Sequence, residues 1–150
     1  MKLTNGQIQA AVEAMGELCG PLNRLPTLAA LKAARTLRAM AHAWEPCDAV
    51  RRRLIEEHGE AIPGGHQVRP GMPGWEAYVA AIAEMGAQEQ EVAVEPVALA
   101  DVEAGYSRDP ETRRKGPLDV APVRLGLLIE LGLVASENGK QDDAAGGAAS

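Results

Sequence analysis

Residues 37–60, LRAMAHAWEPCDAVRRRLIEEHGE, have the side-chain types that catalysis or metal binding requires. The segment contains two histidines, one cysteine, a run of three arginines and a pair of glutamates. A metal site on a single helix needs ligands four residues apart, as in HExxH, and neither His42 nor His58 has such a partner. Adjacent helical residues diverge by about 100°, so Glu56 and Glu57 are poorly placed to share one substrate atom. The spacing therefore favours an amphipathic helix over a reaction centre.

The two cysteines are the remaining candidate nucleophiles. Cys47 follows Pro46, and a helix that restarts at this proline would place the thiol near a helix N-terminus, where thiol pKa values fall. Both Cys47 and Cys19 nevertheless occupy apolar positions of helical patterns, which is typical of buried structural cysteines. The motifs GxSxG, GxxxxGKS/T and GxGxxG do not occur. We therefore expect no enzyme activity, no cofactor and no metal; a small enzyme that uses Cys47 or His58 is the third alternative.

Positive charge is concentrated in one part of a chain whose net charge is −6. Seven basic residues and only two acidic residues lie between Arg24 and Arg53. Such a surface serves salt bridges to a protein, or phosphate contacts to a nucleic acid. An isoelectric point near 5.1 favours a protein partner over nucleic acid, and so does the fact that aromatic stacking residues are not interleaved with the arginines. The possible interaction surface comprises Lys32, Arg35, Arg38, Arg51, Arg52 and Arg53. A second basic group, Arg113, Arg114 and Lys115, is interpreted as a solvated loop.

The composition is typical of a water-soluble protein with an unusual core. Hydrophobic residues make up 46% of the chain and charged residues 24%, but aromatic residues only 3%, with no phenylalanine. A core of aliphatic side chains and alanine favours closely approaching helices. With two cysteines, no apolar leader and no window near the roughly 20 apolar residues of a membrane span, we expect a cytoplasmic protein.

Hydrophobic periodicity predicts three main helices. The first follows a cap at Thr4 or Asn5 and stops at Gly20, the second covers residues 27–58, and the third runs from residue 75 to Gly86. Pro46 should kink or split the second helix, because proline removes a backbone donor. The apolar stripe predicted for the second helix comprises Ala30, Ala33, Leu37, Met40, Trp44 and Cys47.

The remaining segments predict a small β element and a closing helix. AIPGGHQVRPGMPG, residues 61–74, indicates a hairpin or an ordered loop, and EVAVEPVAL a half-buried strand from Glu91. That strand needs a partner, either HQV at residues 66–68 or a second chain. The polar stretch ADVEAGYSRDPETRRKGP predicts a surface loop, followed by a helix with Asp119 as its cap and Gly132 as its stop. The fold class is thus mainly α with minor β: an antiparallel helical hairpin, a third packed helix and a small β element. It forms a single domain over residues 1–135, followed by a disordered tail over residues 136–150.

Six segments of the chain follow one another in a recognisable order. They are MKLTNGQI, the proline-led RLPTLAALKAARTLRAM, RRRLIEEHGE, the glycine-rich turn after it, the third predicted helix and EVAVEPVAL. This order resembles a group of small tailed-bacteriophage proteins of unassigned function, over roughly residues 1–103, whereas residues 104–135 and the tail depart from it. The shared motifs are structural, so the resemblance carries no active site to this chain. It implies a phage or prophage origin and a small accessory protein.

The expected function follows from a well-patterned fold without a chemical constellation. We expect a non-enzymatic accessory protein of the host-cell cytoplasm that binds a phage or host protein, or a second copy of itself. Its role would be in assembly or in host interaction. A nucleic-acid-binding accessory that uses the basic face of the second helix is the alternative.

Overall fold

The computed structural model describes residues 1–136, and their fold is mainly α with minor β, as predicted. The helices are α1 Asn5–Leu18, α2 Thr27–His58, α3 Trp75–Ala87, α4 Leu99–Glu103 and α5 Pro122–Glu130. The strands are β1 Lys2–Thr4, β2 Asn23–Arg24, β3 Glu60–Ile62, β4 Gly65–Gln67, β5 Glu89–Glu91, β6 Val97–Ala98, β7 Tyr106–Arg108, β8 Lys115–Gly116 and β9 Val134–Ala135. The predicted disordered tail, residues 136–150, lies outside the described residues except for its first residue.

The described chain forms two compact units. The first unit comprises Met1–Gln9 and Ala41–Val92, and the second comprises Ala10–Met40 and the chain from Ala93 onward. The single domain expected from the sequence stays a prediction. The apolar core of the first unit consists of Leu3, Ile8, Cys47, Leu54 and Val92. The core of the second unit consists of Ala11, Ala14, Met15, Leu18, Ala29, Ala33, Met40, Val97, Val102, Leu128, Leu133 and Val134.

Helix α2 is continuous through Pro46, so of the predicted kink or split at this residue the split does not occur, and the kink stays a prediction. Proline has no N–H and therefore leaves the carbonyl of His42, four residues earlier, without its helical donor. Both residues are on the exposed side of the helix, where water can satisfy that carbonyl. The missing bond is thus tolerated, and α2 extends over all 32 predicted residues.

The buried stripe of α2 differs from the predicted one. Ala33, Met40, Cys47 and Leu54 recur every seven residues and are buried, whereas Ala30 is exposed. Leu37 and Trp44, also predicted for the stripe, are half-buried. A seven-residue spacing keeps one face of a helix against its neighbours. Thr36 shares this face because its hydroxyl donates to the Glu95 carbonyl (3.2 Å) and accepts from the Glu95 N–H (2.9 Å). Apolarity alone passes over such a polar residue.

Glu91, the first residue of the predicted strand EVAVEPVAL, is the last residue of β5, which pairs with β1 in antiparallel orientation. Val97 and Ala98 of the same stretch form β6, so the predicted strand is not continuous. HQV pairs with neither segment, so this expected partner is wrong, whereas pairing with a second chain stays a prediction. Asn5, which is buried, holds the N-terminal segment beside β5. Its side-chain amide donates to the Met85 carbonyl (2.9 Å) and accepts from the Gln90 amide (2.7 Å). HQV instead contributes to the β3–β4 hairpin, whose Pro63–Gly64 turn uses a positive φ of 88° at Gly64.

In the second unit, α1 and α2 approach each other where one ends and the other begins. Leu18 at the end of α1 and Ala30 near the start of α2 line the same cavity of about 160 Å³. The predicted helical hairpin requires this closeness of the two helix ends. Strand β6 pairs with β9 in parallel orientation. Helix α5 ends at Glu130, and Gly132, the predicted stop, follows two residues later with a φ of +77°. Its cap is Ala121 rather than Asp119, because Pro122 takes the first helical position.

The predicted surface loop over residues 100–117 is wrong, because this stretch contains most of α4 and a β-hairpin. Strands β7 and β8 pair in antiparallel orientation, and β7 also pairs with β2, which gives a sheet of order β2-β7-β8. Asp109 organises the turn, since its Oδ1 accepts the backbone N–H groups of Glu111 (2.8 Å) and Thr112 (2.9 Å). A turn held by its own side chain lets a polar sequence form strands.

Asn23 connects this sheet to two other parts of the second unit. Its Nδ2 donates to the carbonyls of Glu17 (3.0 Å) and Leu18 (3.3 Å), which end α1. The same side chain donates to the Asp119 carbonyl (3.2 Å) and accepts the Asp119 N–H at 2.8 Å. One amide thus satisfies the helix end and holds the segment that leads into α5.

We predict that Asn23→Ala destabilises the second unit by about 1–3 kcal/mol, because it leaves several backbone groups without partners. Amide hydrogen exchange followed by NMR measures the effect locally, since the Asp119 N–H loses its acceptor and should exchange faster. Gln9→Ala, an exposed side chain of α1, is the control. Unchanged protection of Asp119 in Asn23→Ala would contradict this role.

Candidate functional site

The basic residues of α2 that belong to the second unit are Lys32, Arg35 and Arg38. Arg35 lies 3.2 Å from the Glu95 carboxylate, whereas Lys32 and Arg38 form no ion pair within the described residues. All three side chains are exposed. This part of the predicted interaction surface therefore keeps two cations without an acidic partner.

The basic residues of α2 that belong to the first unit are largely neutralised within the helix. The Asp48 carboxylate pairs with Arg51 at 2.7 Å and with Arg52 at 2.8 Å. Hydrogen bonding from Arg51 is the main cause that holds the pKa of Asp48 below its usual value. Arg53 pairs with Glu57 at 3.4 Å. Local carboxylates thus already occupy the arginines that the sequence offers most conspicuously.

Exposed leucines accompany the unpaired cations of the second unit. Leu28 is 73% exposed and Leu31 44%. Leu28 precedes Lys32 by four residues and Leu31 precedes Arg35 by four, spacings at which side chains are neighbours on a helix surface. We call Leu28, Leu31, Lys32, Arg35 and Arg38 the leucine–basic patch. Solvent-exposed apolar side chains beside polar ones are characteristic of protein-binding surfaces.

A second concentration of charge lies on the β2-β7-β8 sheet. Directly opposed residues of neighbouring strands project from the same face, and the register pairs Arg24 with Tyr106 and Arg108 with Lys115. Tyr106 and Arg108 are two residues apart on β7, so all four share one face. We call Arg24, Tyr106, Arg108 and Lys115 the basic sheet face.

The cations of the basic sheet face have no carboxylate partner among residues 1–136. Lys115 Nζ lies 4.4 Å from the centre of the Tyr106 ring, a cation–π contact that fixes the ammonium beside Arg108. The Arg24 guanidinium donates to the backbone carbonyls of Pro21 (2.6 Å) and Asn23 (3.0 Å), which orients it without neutralising it. Like charges directly opposite each other weaken a sheet. The Arg108–Lys115 pair is therefore a local cost to stability, and an anion is the ligand that would relieve it.

An open groove of about 590 Å³ runs along the same hairpin. Its lining includes the cations Arg108, Arg114 and Lys115, and the hydroxyl-bearing residues Ser107 and Thr112. The carboxylates of Asp109 and Asp119 also line the groove. The Asp109 Oδ1 accepts the turn N–H groups, and these hydrogen bonds, the one from Thr112 first, hold the pKa of this carboxyl below its usual value. With three cations against two carboxylates, the groove offers hydrogen-bond donors and a small excess of positive charge to a ligand.

Sequence reasoning missed this site because it interpreted Arg113, Arg114 and Lys115 as a solvated loop. The signals that could have found it are short. Tyr106 and Arg108 alternate with Ser107, and RDPET contains the Asp and Pro of a tight turn. Two residues of alternation are too few to distinguish a strand from a polar loop.

The cysteine and histidine candidates do not form a common site. Cys47 and His58 are eleven residues apart on α2, which corresponds to about 16 Å along the helix axis. Burial raises the pKa of the Cys47 and Cys19 thiols, so neither is an activated nucleophile. His42 is exposed and lies 3.5 Å from the Glu45 carboxylate. Within residues 1–136, no group of three or more His, Cys, Asp or Glu side chains is arranged to hold a metal ion.

Comparison with family models, curated proteins and solved structures finds no match for this chain. Among the described helices, none combines the length and the apolar character that crossing a membrane requires.

We predict that Arg108→Glu stabilises the β7–β8 hairpin by up to about 1 kcal/mol, because it replaces a like-charged pair with an opposite-charged pair across the strands. Hydrogen exchange of the Asp109 amide, which donates to the Arg114 carbonyl across the hairpin, reports hairpin opening. Protection should rise several-fold. Arg108→Gln, which removes the repulsion without adding an attraction, should give a smaller increase. A loss of protection in Arg108→Glu would show that Arg108 and Lys115 do not repel each other.

Proposed function

We propose that this protein is a non-enzymatic accessory protein, of phage or prophage origin, that binds another protein through the leucine–basic patch. The observation that carries the proposal is the exposure of Leu28 and Leu31 beside the unpaired cations Lys32 and Arg38. The phage origin rests on the resemblance of residues 1–103 described above. The role would be in assembly or in host interaction.

The chemistry of the patch indicates the kind of partner. Burial of two leucines supplies apolar contact area, at roughly 25 cal/mol per Å² of apolar surface removed from water. Lys32 and Arg38 add an electrostatic preference for acidic side chains at the rim of the contact. We therefore propose that the partner presents a helix or loop with apolar residues flanked by carboxylates, rather than a purely acidic segment.

The alternative of nucleic-acid binding through α2 has weaker support. Four of the six candidate cations, Arg35, Arg51, Arg52 and Arg53, pair with carboxylates of this chain. Each such pair would have to break, or share its cation, before a phosphate could bind. The enzyme alternative that uses Cys47 or His58 is not favoured either, because the thiol pKa is raised and the two residues are far apart.

We predict that Leu28→Gln together with Leu31→Gln abolishes capture of the partner, since the double variant removes the apolar anchor of the patch. Pull-down from infected or lysogenic cells, followed by light scattering of the purified complex, measures capture and stoichiometry. The matched control is Val123→Gln, because Val123 is 78% exposed on α5, outside the patch.

Three results together support the proposal: a stoichiometric partner held by the wild type, retention in the control and loss in the double variant. Equal capture by the double variant and the wild type would refute the patch as the binding surface. Light scattering that gives a dimer, broken by the leucine variant, would identify the partner as a second copy of the chain.

A further inference from the structure

We propose that the basic sheet face, with the groove beside it, binds the phosphate backbone of a single-stranded nucleic acid. This goes beyond the protein-binding function proposed for α2, because it uses a different element of the second unit. It also differs from the nucleic-acid hypothesis for α2, because none of its residues belongs to that helix.

The balance of paired and unpaired cations favours an anionic ligand on the sheet. Arg24, Arg108 and Lys115 lie on one face without a carboxylate partner in the described part of the chain, while most arginines of α2 are paired. The turn adds Arg113 and Arg114, whose side chains are also exposed and form no described ion pair. Positive charge is thus left available on the sheet, whereas four of the six candidate cations of α2 are paired with carboxylates.

Two cations of the basic sheet face are held in place before any ligand binds. The Tyr106 ring holds Lys115 Nζ at 4.4 Å, and backbone carbonyls hold the Arg24 guanidinium. Side chains that are already oriented lose less conformational entropy when a ligand binds. The Arg108–Lys115 repulsion is relieved by the same event, because a phosphate placed between the two cations attracts both.

The width and composition of the basic sheet face indicate the kind of anion. Neighbouring strands are about 4.8 Å apart, so cations on three strands cover a face roughly 10 Å wide, which suits a chain of repeated charges better than a single carboxylate. Leu22 lines the groove beside this face and is 38% exposed, whereas the more strongly exposed Leu28 (73%) and Val123 (78%) lie on α2 and α5. The apolar area that could anchor a protein or enter a lipid surface is therefore small here. A single strand is flexible enough to follow this short, narrow face, whereas duplex DNA is stiff over about 150 base pairs.

Recognition through phosphates carries no base sequence, so binding should be weak and independent of sequence. Each phosphate contact to a single strand contributes about 0.7 to the slope of log K against log salt concentration. Three contacts, from Arg24, Arg108 and Lys115, predict a slope of log K against log salt concentration of about −2. The net charge of −6 opposes binding overall, so the measurement belongs at low salt.

The test is fluorescence anisotropy of a short labelled oligothymidine with the full chain over a series of salt concentrations. Arg108→Gln with Lys115→Gln should lower the affinity about tenfold or more and reduce the slope to about −0.7. The matched control is Lys32→Gln with Arg38→Gln, which removes the same charge from exposed, unpaired cations of α2 and should leave the slope unchanged. Arg108→Glu is a second variant, because it should weaken binding while it stabilises the hairpin, so that its loss of binding cannot come from unfolding.

Several outcomes would overturn the proposal. They are no binding at low salt, an equal loss of affinity in the α2 control, and tighter binding of a polyglutamate peptide or of anionic vesicles than of oligothymidine. Equal affinity for a duplex of the same sequence would overturn the preference for a single strand. If the two surfaces act separately, the Leu28 and Leu31 double variant loses protein capture but still binds oligothymidine. Either proposal can therefore fail alone.

Discussion

The amide of Asn23 is the constraint on which the candidate site depends. It satisfies the carbonyls at the end of α1 and binds both backbone groups of Asp119. Asn23 is itself a residue of β2, so these bonds fix the edge of the sheet that pairs with β7. The hairpin β7–β8 would otherwise be marginal, because two short strands without a third are rarely stable in water. A single polar side chain thereby places Arg24, Arg108 and Lys115 on one surface.

Two basic regions of this chain illustrate how charge in a sequence differs from charge on a surface. The run Arg51, Arg52 and Arg53 dominates the sequence, yet each of these arginines pairs with a carboxylate three or four residues away on the same helix, Asp48 or Glu57. The sheet cations are dispersed between residues 24 and 115, and strand pairing brings them together without an acid. Spacing along a helix can be read from sequence, whereas convergence across strands depends on topology.

The same distinction explains which predictions succeeded. The limits of α2 and α3 and the stop at Gly132 follow from local periodicity and capping, and the structure confirms them. The partner of β5, the hairpin at residues 106–116 and the polar member Thr36 of the buried stripe depend on contacts distant in sequence, and these were missed or wrong. Of the candidate interaction residues, Lys32 and Arg38 keep the exposed, unpaired state that a surface contact needs. The basic sheet face was not predictable, since its strands are too short to show alternation.

The central claim is that the binding chemistry of the second unit resides on the sheet as well as on α2, in two separate surfaces. The most direct measurement is a nitrogen–proton correlation spectrum of the full chain titrated with oligothymidine. The account predicts that the largest chemical-shift changes fall on the backbone amides of residues 22–24, 106–108 and 113–116. Changes concentrated on residues 28–38 of α2, or no changes in either region at low salt, would contradict it.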